Sequence, residues 1–84
     1  MTLLNLEIIT PKGYLYHDKC HLVTLPTKAG EVGIMYGHEL IIASLDLGKI
    51  IIIDEQEKLL KEFVVESGGY AKMQGLDTLL VLLD

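Results

Sequence analysis

Lys58-Leu59-Leu60-Lys61-Glu62-Phe63-Val64-Val65-Glu66-Ser67-Gly68-Gly69 is the stretch on which the fold class turns. Leucine, lysine and glutamate are good helix formers, so residues 58–65 admit a short helix. The segment is too brief for a stable globular helix, however, and no capping residue opens it. Read as a strand, it puts Phe63 and Val65 on one face and Glu62, Val64 and Glu66 on the other. Ser67-Gly68-Gly69 then breaks it. Residues 79–83 pose the same choice and resolve the same way.

Working outward, strand signals fill the chain. Leu4, Leu6 and Ile8 alternate with Asn5 and Glu7, the period-two pattern of a half-buried strand. Pro11-Lys12-Gly13 marks a turn, and residues 14–17 follow as a short β-prone piece. Residues 20–25 read as a third strand, ended by Pro26, which cannot donate to a ladder. Residues 28–38 carry Gly30, Gly33 and Gly37 and read as an ordered connection around a very short strand at residues 32–35. Beyond it, residues 40–45 are apolar, and Gly48 introduces the β-branched run of residues 49–53. Asp54-Glu55-Gln56-Glu57-Lys58 suits a hairpin loop. After residues 59–66, residues 70–73 make a short strand, and Gly75-Leu76-Asp77 turns the chain into residues 78–83. Turns every eight to twelve residues or so are the spacing of an all-β sandwich or barrel. The expectation is a small antiparallel β-sandwich of about eight to ten short strands, occupying residues 1–84 as a single domain.

Composition narrows the function. The 84 residues are 50% hydrophobic, 6% aromatic and 23% charged, with a mean hydropathy of +0.39. That is too apolar for intrinsic disorder. Cys20 is the only cysteine, which excludes an internal disulfide scaffold and points to a reducing compartment or a buried, inert thiol. Seven lysines and no arginine face twelve carboxylates, a net charge of −5. Nucleic-acid binding takes most of its affinity from cations on phosphates, so no nucleic-acid partner is expected. The longest apolar runs, residues 50–53 and 79–83, fall far short of the roughly 20 residues that span a bilayer. Met1-Thr2-Leu3-Leu4-Asn5 has no charged n-region and no long apolar core, so no secretory signal is read there. A soluble, cytoplasmic acidic domain is expected, with membrane contact only through a partner.

Several clusters invite a chemical reading. His17-Asp18-Lys19-Cys20-His21 packs four potential metal ligands into five residues. On one strand, His17 and His21 would share a face about 13 Å apart, with Asp18 and Cys20 on the other. Zinc needs ligands converging at about 2.0–2.3 Å, so no metal site is expected. Cys20 as a nucleophile would need a base within hydrogen-bond reach. His21 points to the opposite face, and His38 could approach only through the fold, so Cys20 reads as a small buried hydrophobe. Neither Ser67-Gly68-Gly69 nor the glycines of residues 30–37 end in the lysine-serine/threonine pair of a phosphate loop or lead into a helix. Asp54, Glu55 and Glu57 read as a solvated hairpin tip. No catalytic residue, cofactor or small-molecule substrate is expected.

One stretch asks for more. Ala29-Gly30-Glu31-Val32-Gly33-Ile34-Met35-Tyr36-Gly37-His38 gathers three glycines and a histidine into one connection, more backbone chemistry than a plain link requires. Here the chain resembles the epsilon subunit of bacterial F-type ATP synthase, called delta in mitochondria. The resemblance rests on the Gly-Glu-x-Gly…Gly-His block preceded by Leu25-Pro26, on Leu45-Asp46-Leu47-Gly48-Lys49-Ile50, on Glu66-Ser67-Gly68-Gly69-Tyr70 and on the opening Leu6-Glu7-Ile8-Ile9-Thr10-Pro11. Two departures stand out: Tyr36 replaces the usual proline before Gly37, and Glu39-Leu40 replaces the proline after the histidine.

The resemblance implies a non-catalytic rotor subunit of the central stalk. It would bind the gamma subunit, rest on the c-ring and couple ion translocation to ATP synthesis, peripheral on the cytoplasmic side of the bacterial inner membrane. By the family pattern, Gly30, Glu31, Val32 and Gly33 form a loop facing the c-ring. Tyr36, Gly37 and His38 form a turn towards the stalk contacts. Family members continue into a pair of antiparallel helices that carry inhibition and, in some, ATP binding. The sequence in hand reaches Leu82-Leu83-Asp84, where that hairpin would begin. The expectation is therefore a sandwich without the hairpin, coupling without inhibiting and prone to self-association when isolated. The rival from another class is a free-standing ligand- or metal-binding β-sandwich. It would need a concave face with clustered aromatics or converging ligands, and the four tyrosines and one phenylalanine are scattered along the chain.

Overall fold

A computed structural model describes residues 2–84, and every regular element in it is a strand. They are β1 (Leu4–Thr10), β2 (Gly13–Cys20), β3 (Leu22–Thr27), β4 (Gly30–Ile34), β5 (Ile42–Leu45), β6 (Gly48–Ile53), β7 (Leu59–Val65), β8 (Gly69–Gln74) and β9 (Thr78–Leu83). Alternation decides what each strand buries. Leu4, Leu6 and Ile8 of β1 turn inward, as do Val23, Leu25 and Thr27 of β3, Ile50 and Ile52 of β6, Ala71 and Met73 of β8, and Leu79 and Val81 of β9. The stretch 58–69 is a strand followed by a bend, with Val65 buried, Phe63 half-buried and Val64 exposed.

The strands hydrogen-bond in the order β2-β1-β9-β8-β5-β3-β6-β7, with β4 added against β3. β5 meets β3 through one residue pair, Leu45 opposite Thr27. The sheet folds over at that pair into two layers, β2-β1-β9-β8-β5 and β4-β3-β6-β7. The apolar residues buried on both layers form one cluster, which is the core. The result is the expected sandwich, with nine strands.

Four local expectations change. First, the pairing is not wholly antiparallel: β1 runs parallel to β9, with Leu6 opposite Leu79 and Ile8 opposite Val81. Only a hairpin forces antiparallel neighbours, and these two strands are joined through all the others. Second, residues 20–25 do not form one strand. Cys20 ends β2 and His21 bends the chain, its N–H donating to the Ile53 carbonyl at 3.0 Å. His17 and His21 therefore lie on no common strand.

Third, Pro26 lies inside β3, opposite Glu31, and does not end it. Its carbonyl accepts the Asp46 N–H at 2.8 Å, so its polar backbone edge faces away from β4. The missing N–H thus removes no bond between β3 and β4. Fourth, residues 30–33 are not a loop; they make up most of β4, paired residue by residue with β3.

The fold-over corner is built from small, specific fits. The Thr27 hydroxyl, buried with its residue, donates to the Gly30 carbonyl at 2.5 Å and accepts the Ala29 N–H at 3.2 Å. Lys28 N–H reaches the Ser44 carbonyl at 3.1 Å. Gly48, at φ +152°, has the Pro26 ring where a Cβ would stand.

Gly69 is tighter still. At φ +148°, it faces Leu83 across the ladder, and a Cβ there would be driven into the Leu82 carbonyl oxygen. Because that obstacle is backbone, it cannot swing aside. Gly69→Ala is expected to lower stability by about 3 kcal/mol in urea unfolding. A change below about 1 kcal/mol would show that β8 and β9 shift apart at little cost.

Candidate partner-binding surface

The two segments singled out by sequence lie on one element and beyond its far end. Gly30, at φ +117°, leads the β3–β4 hairpin into β4. Glu31 and Gly33 are exposed, while Val32 and Ile34 turn inward, half-buried and fully buried. The Glu31 carboxylate makes no hydrogen bond and no ion pair among the described residues, where Lys49–Glu62 at 3.4 Å is the one salt bridge. At about 3.3 Å per residue, the four steps from Gly30 to Ile34 cover about 13 Å. Tyr36, Gly37 and His38 lie past that end.

The Tyr36–His38 turn is held by backbone. His38 N–H closes it on the Met35 carbonyl at 3.2 Å, and Gly37, at φ +82°, donates its N–H to the Leu76 carbonyl at 2.7 Å. That second bond ties the turn to the one between β8 and β9. His38 Nδ1 lies 2.8 Å from the Glu39 carbonyl, to which it can only donate. Tyr36 is partly exposed beside Thr2, Asn5, Lys19 and Asp77, in a shallow open cleft. Tyr36 stands where the resemblance implies a proline, and the Gly37–Leu76 backbone bond restrains the turn.

The His17–His21 cluster does not converge. His17 is exposed on β2, its ring stacked on Tyr14 with centroids 4.7 Å apart. The Tyr14 hydroxyl donates to Glu7 at 3.1 Å, and that bond to a carboxylate pushes its pKa up. Cys20 turns into the core, and burial, aided by the nearby Asp18 carboxylate, raises its thiol to about 11. No group of three or more metal-ligating side chains comes together among the described residues.

Sequence reasoning missed the outer face of the larger layer. Cross-strand register aligns Ser44, Tyr70, Leu82, Ile9 and Tyr14 in one row over five strands. The neighbouring row runs Ile42, Lys72, Leu80, Glu7 and His17, with Ile42 74% exposed. A sheet face turned to water is ordinarily polar at these positions. The signal was present in β9, whose Leu79-Leu80-Val81-Leu82-Leu83 run does not alternate and so suits a strand with apolar residues on both faces.

Comparison with known proteins decides the family. The sequence profile of the ATP synthase, Delta/Epsilon chain, beta-sandwich domain matches residues 3–84. The chain belongs to this family. Among curated relatives, the ATP synthase epsilon chain of Campylobacter jejuni subsp. doylei is 41% identical over 71 residues, covering 84% of this chain and 54% of the relative. That of Helicobacter acinonychis is 37% identical over 75 residues, covering 89% of this chain and 58% of the relative. The domain thus spans little more than half the length of these relatives. A chain in the Euglena gracilis mitochondrial ATP synthase structure (OSCP/F1/c-ring) shares the fold at a TM-score of 0.87 and 21% identity, over 99% of this chain and 51% of that one. A chain of the Tetrahymena thermophila central stalk/c-ring structure does so at 0.74 and 15% identity, over 95% of this chain and 62% of that one.

Two tests follow from the geometry of the domain. A Cβ at Gly37 would meet nothing within 4 Å, so Gly37→Ala suffers only from its left-handed backbone. Thermal or urea unfolding should show a loss of about 1–2 kcal/mol, with Gly37→Asn losing less because asparagine tolerates that region. For Cys20, a thiol pKa of about 11 against the ordinary 9.0 leaves the folded protein about a hundredfold less thiolate at pH 8. Iodoacetamide should therefore label Cys20 at least that much more slowly in native protein than in urea-unfolded protein. Equal rates would show the thiol to be open to solvent.

Proposed function

We propose that the domain is a non-catalytic piece of the rotor of a bacterial F-type ATP synthase. It sits in the central stalk between the gamma subunit and the c-ring, peripheral on the cytoplasmic side of the inner membrane. There it couples ion translocation to ATP synthesis without binding a cofactor, a substrate or nucleic acid. The observation that carries this is the match to the Delta/Epsilon sandwich family from residue 3 to residue 84, with both segments of interest inside it.

The geometry supports two separate contacts. Glu31 stands on β4 with its charge unanswered among the described residues, and Tyr36–His38 stands beyond the far end of that strand. A bridging subunit needs contacts on separated surfaces, and these two are separated by the length of β4. In this reading Gly30, Glu31, Val32 and Gly33 face the c-ring, and Tyr36, Gly37 and His38 lie on the stalk side. A carboxylate against basic ring loops contributes orientation and register more than raw affinity.

Glu31→Lys tests the assignment. Co-purification with detergent-solubilised rotor should show association with the c-ring weakened about tenfold, as expected for reversing one rim charge, and association with gamma little changed. Equal loss on both partners, or none, would move the ring contact away from β4.

A further inference from the structure

We propose that β4 recognises its partner through its backbone: Glu31 and Gly33 form an open strand edge on which an extended, lysine- or arginine-bearing segment of the c-ring pairs as an added strand. This rests on the rotor role proposed for the domain and changes what the contact is made of. The edge's direction follows from its neighbour. The Pro26 carbonyl accepts the Asp46 N–H, so Pro26 turns its polar backbone edge away from β4. The pair Pro26–Glu31 is then of the non-hydrogen-bonded kind, and so, two residues on, is Thr24–Gly33. In such pairs both residues point their N–H and C=O away from each other. Glu31 and Gly33 therefore direct two N–H donors and two C=O acceptors off the free side of β4, and none has a partner among the described residues.

The other edges of the fold are guarded and this one is not. On β2, the register shifts between Ile8 and Ile9 of its neighbour, leaving Leu15 unpaired, and His17, Asp18 and Lys19 crowd the strand. On β7, the shift between Ile52 and Ile53 leaves Leu60 unpaired, and Lys61 and Glu62 follow. Bulges and charges of this kind discourage strand addition. β4 keeps unbroken register with β3 over five residue pairs, from Thr27–Gly30 to Val23–Ile34. It carries one ionisable side chain, Glu31, and its exposed Gly30 and Gly33 offer no side chain to obstruct an approaching backbone.

Donors and acceptors alternating at a two-residue spacing are complementary to an extended strand and to little else. Three extended residues of a loop suffice to engage both Glu31 and Gly33. Charge selects the occupant. The chain carries a net −5, which opposes pairing with a second copy, and Glu31 on the outer face of the edge favours a cationic neighbour.

The test separates backbone from side chain. In Gly33→Pro the ring replaces the outward N–H and blocks the edge, without removing a bond to β3. Gly33→Ala keeps that N–H while adding the same Cβ, which would lie 3.3 Å from Leu22 Cδ1. In rotor reconstituted from purified gamma and c-ring, Gly33→Pro should bind the ring at least about tenfold more weakly, the loss of one to two net hydrogen bonds. Gly33→Ala should stay within about threefold of the parent.

Amide hydrogen exchange on the unsubstituted chain provides a readout that needs no variant. The Glu31 and Gly33 amides should exchange fast in the free domain and become protected on the ring. Ring binding with both amides unprotected, or binding that survives Gly33→Pro, overturns the strand-pairing proposal and leaves the rotor role standing. Protection conferred by gamma alone, or by a concentration-dependent dimer, overturns the choice of occupant. Failure of the unsubstituted chain to associate with either subunit overturns the rotor role itself.

Discussion

Everything in this fold hangs on the single cross-strand pair between Thr27 and Leu45. Nine strands joined in one flat ladder would leave one apolar face open to water. Bending the ladder at that pair brings the two apolar faces together as the core. The bend needs a place where β3 changes partner from β6 to β5, and the chain there is chosen to fit. Pro26 has no N–H to satisfy, Gly48 leaves room for its ring, and the Thr27 hydroxyl satisfies the hairpin beyond. The buried hydroxyl is tolerated because both its donor and its acceptor roles are filled.

The same corner governs the proposed contact surface. Because Pro26 turns its carbonyl towards β5 and β6, the facing residues of β4 must turn theirs outward. The open edge of β4 is therefore a consequence of how the core closes. At the far end of β4, the Tyr36–His38 turn is tied to the β8–β9 turn by Gly37, which joins the smaller layer to the larger one at a second point. The rotor role proposed for the domain would draw on such ties, since an interface mounted on a loose loop would absorb displacement.

Much of this was legible in the residues. Period-two alternation identified nearly every strand, and the glycine and aspartate clusters located most of the turns. The block from Ala29 to His38 carried the family and with it the fold. Three of the local expectations that change in the fold are Pro26 as a strand end, residues 30–33 as a loop, and residues 20–25 as one strand. For Pro26 and His21 the deciding partner lies far away in sequence, Asp46 and Ile53, while for residues 30–33 it is the hairpin neighbour β3. Local propensity holds no information about such partners.

By itself, then, the sequence determined that the protein is all-β, that its core comes from alternate positions, that it has no disulfide and few cations, and which family it joins. These are properties of single residues and short spacings, where sterics and hydration act locally. Only the tertiary structure decided that β1 and β9 run parallel, that Ile9, Tyr70 and Leu82 line up across the larger layer, and that Glu31 and Gly33 form a free edge instead of a loop. Pairing register and edge exposure depend on which strands meet, and that is set by burying both layers at once, a condition no short stretch of the chain contains.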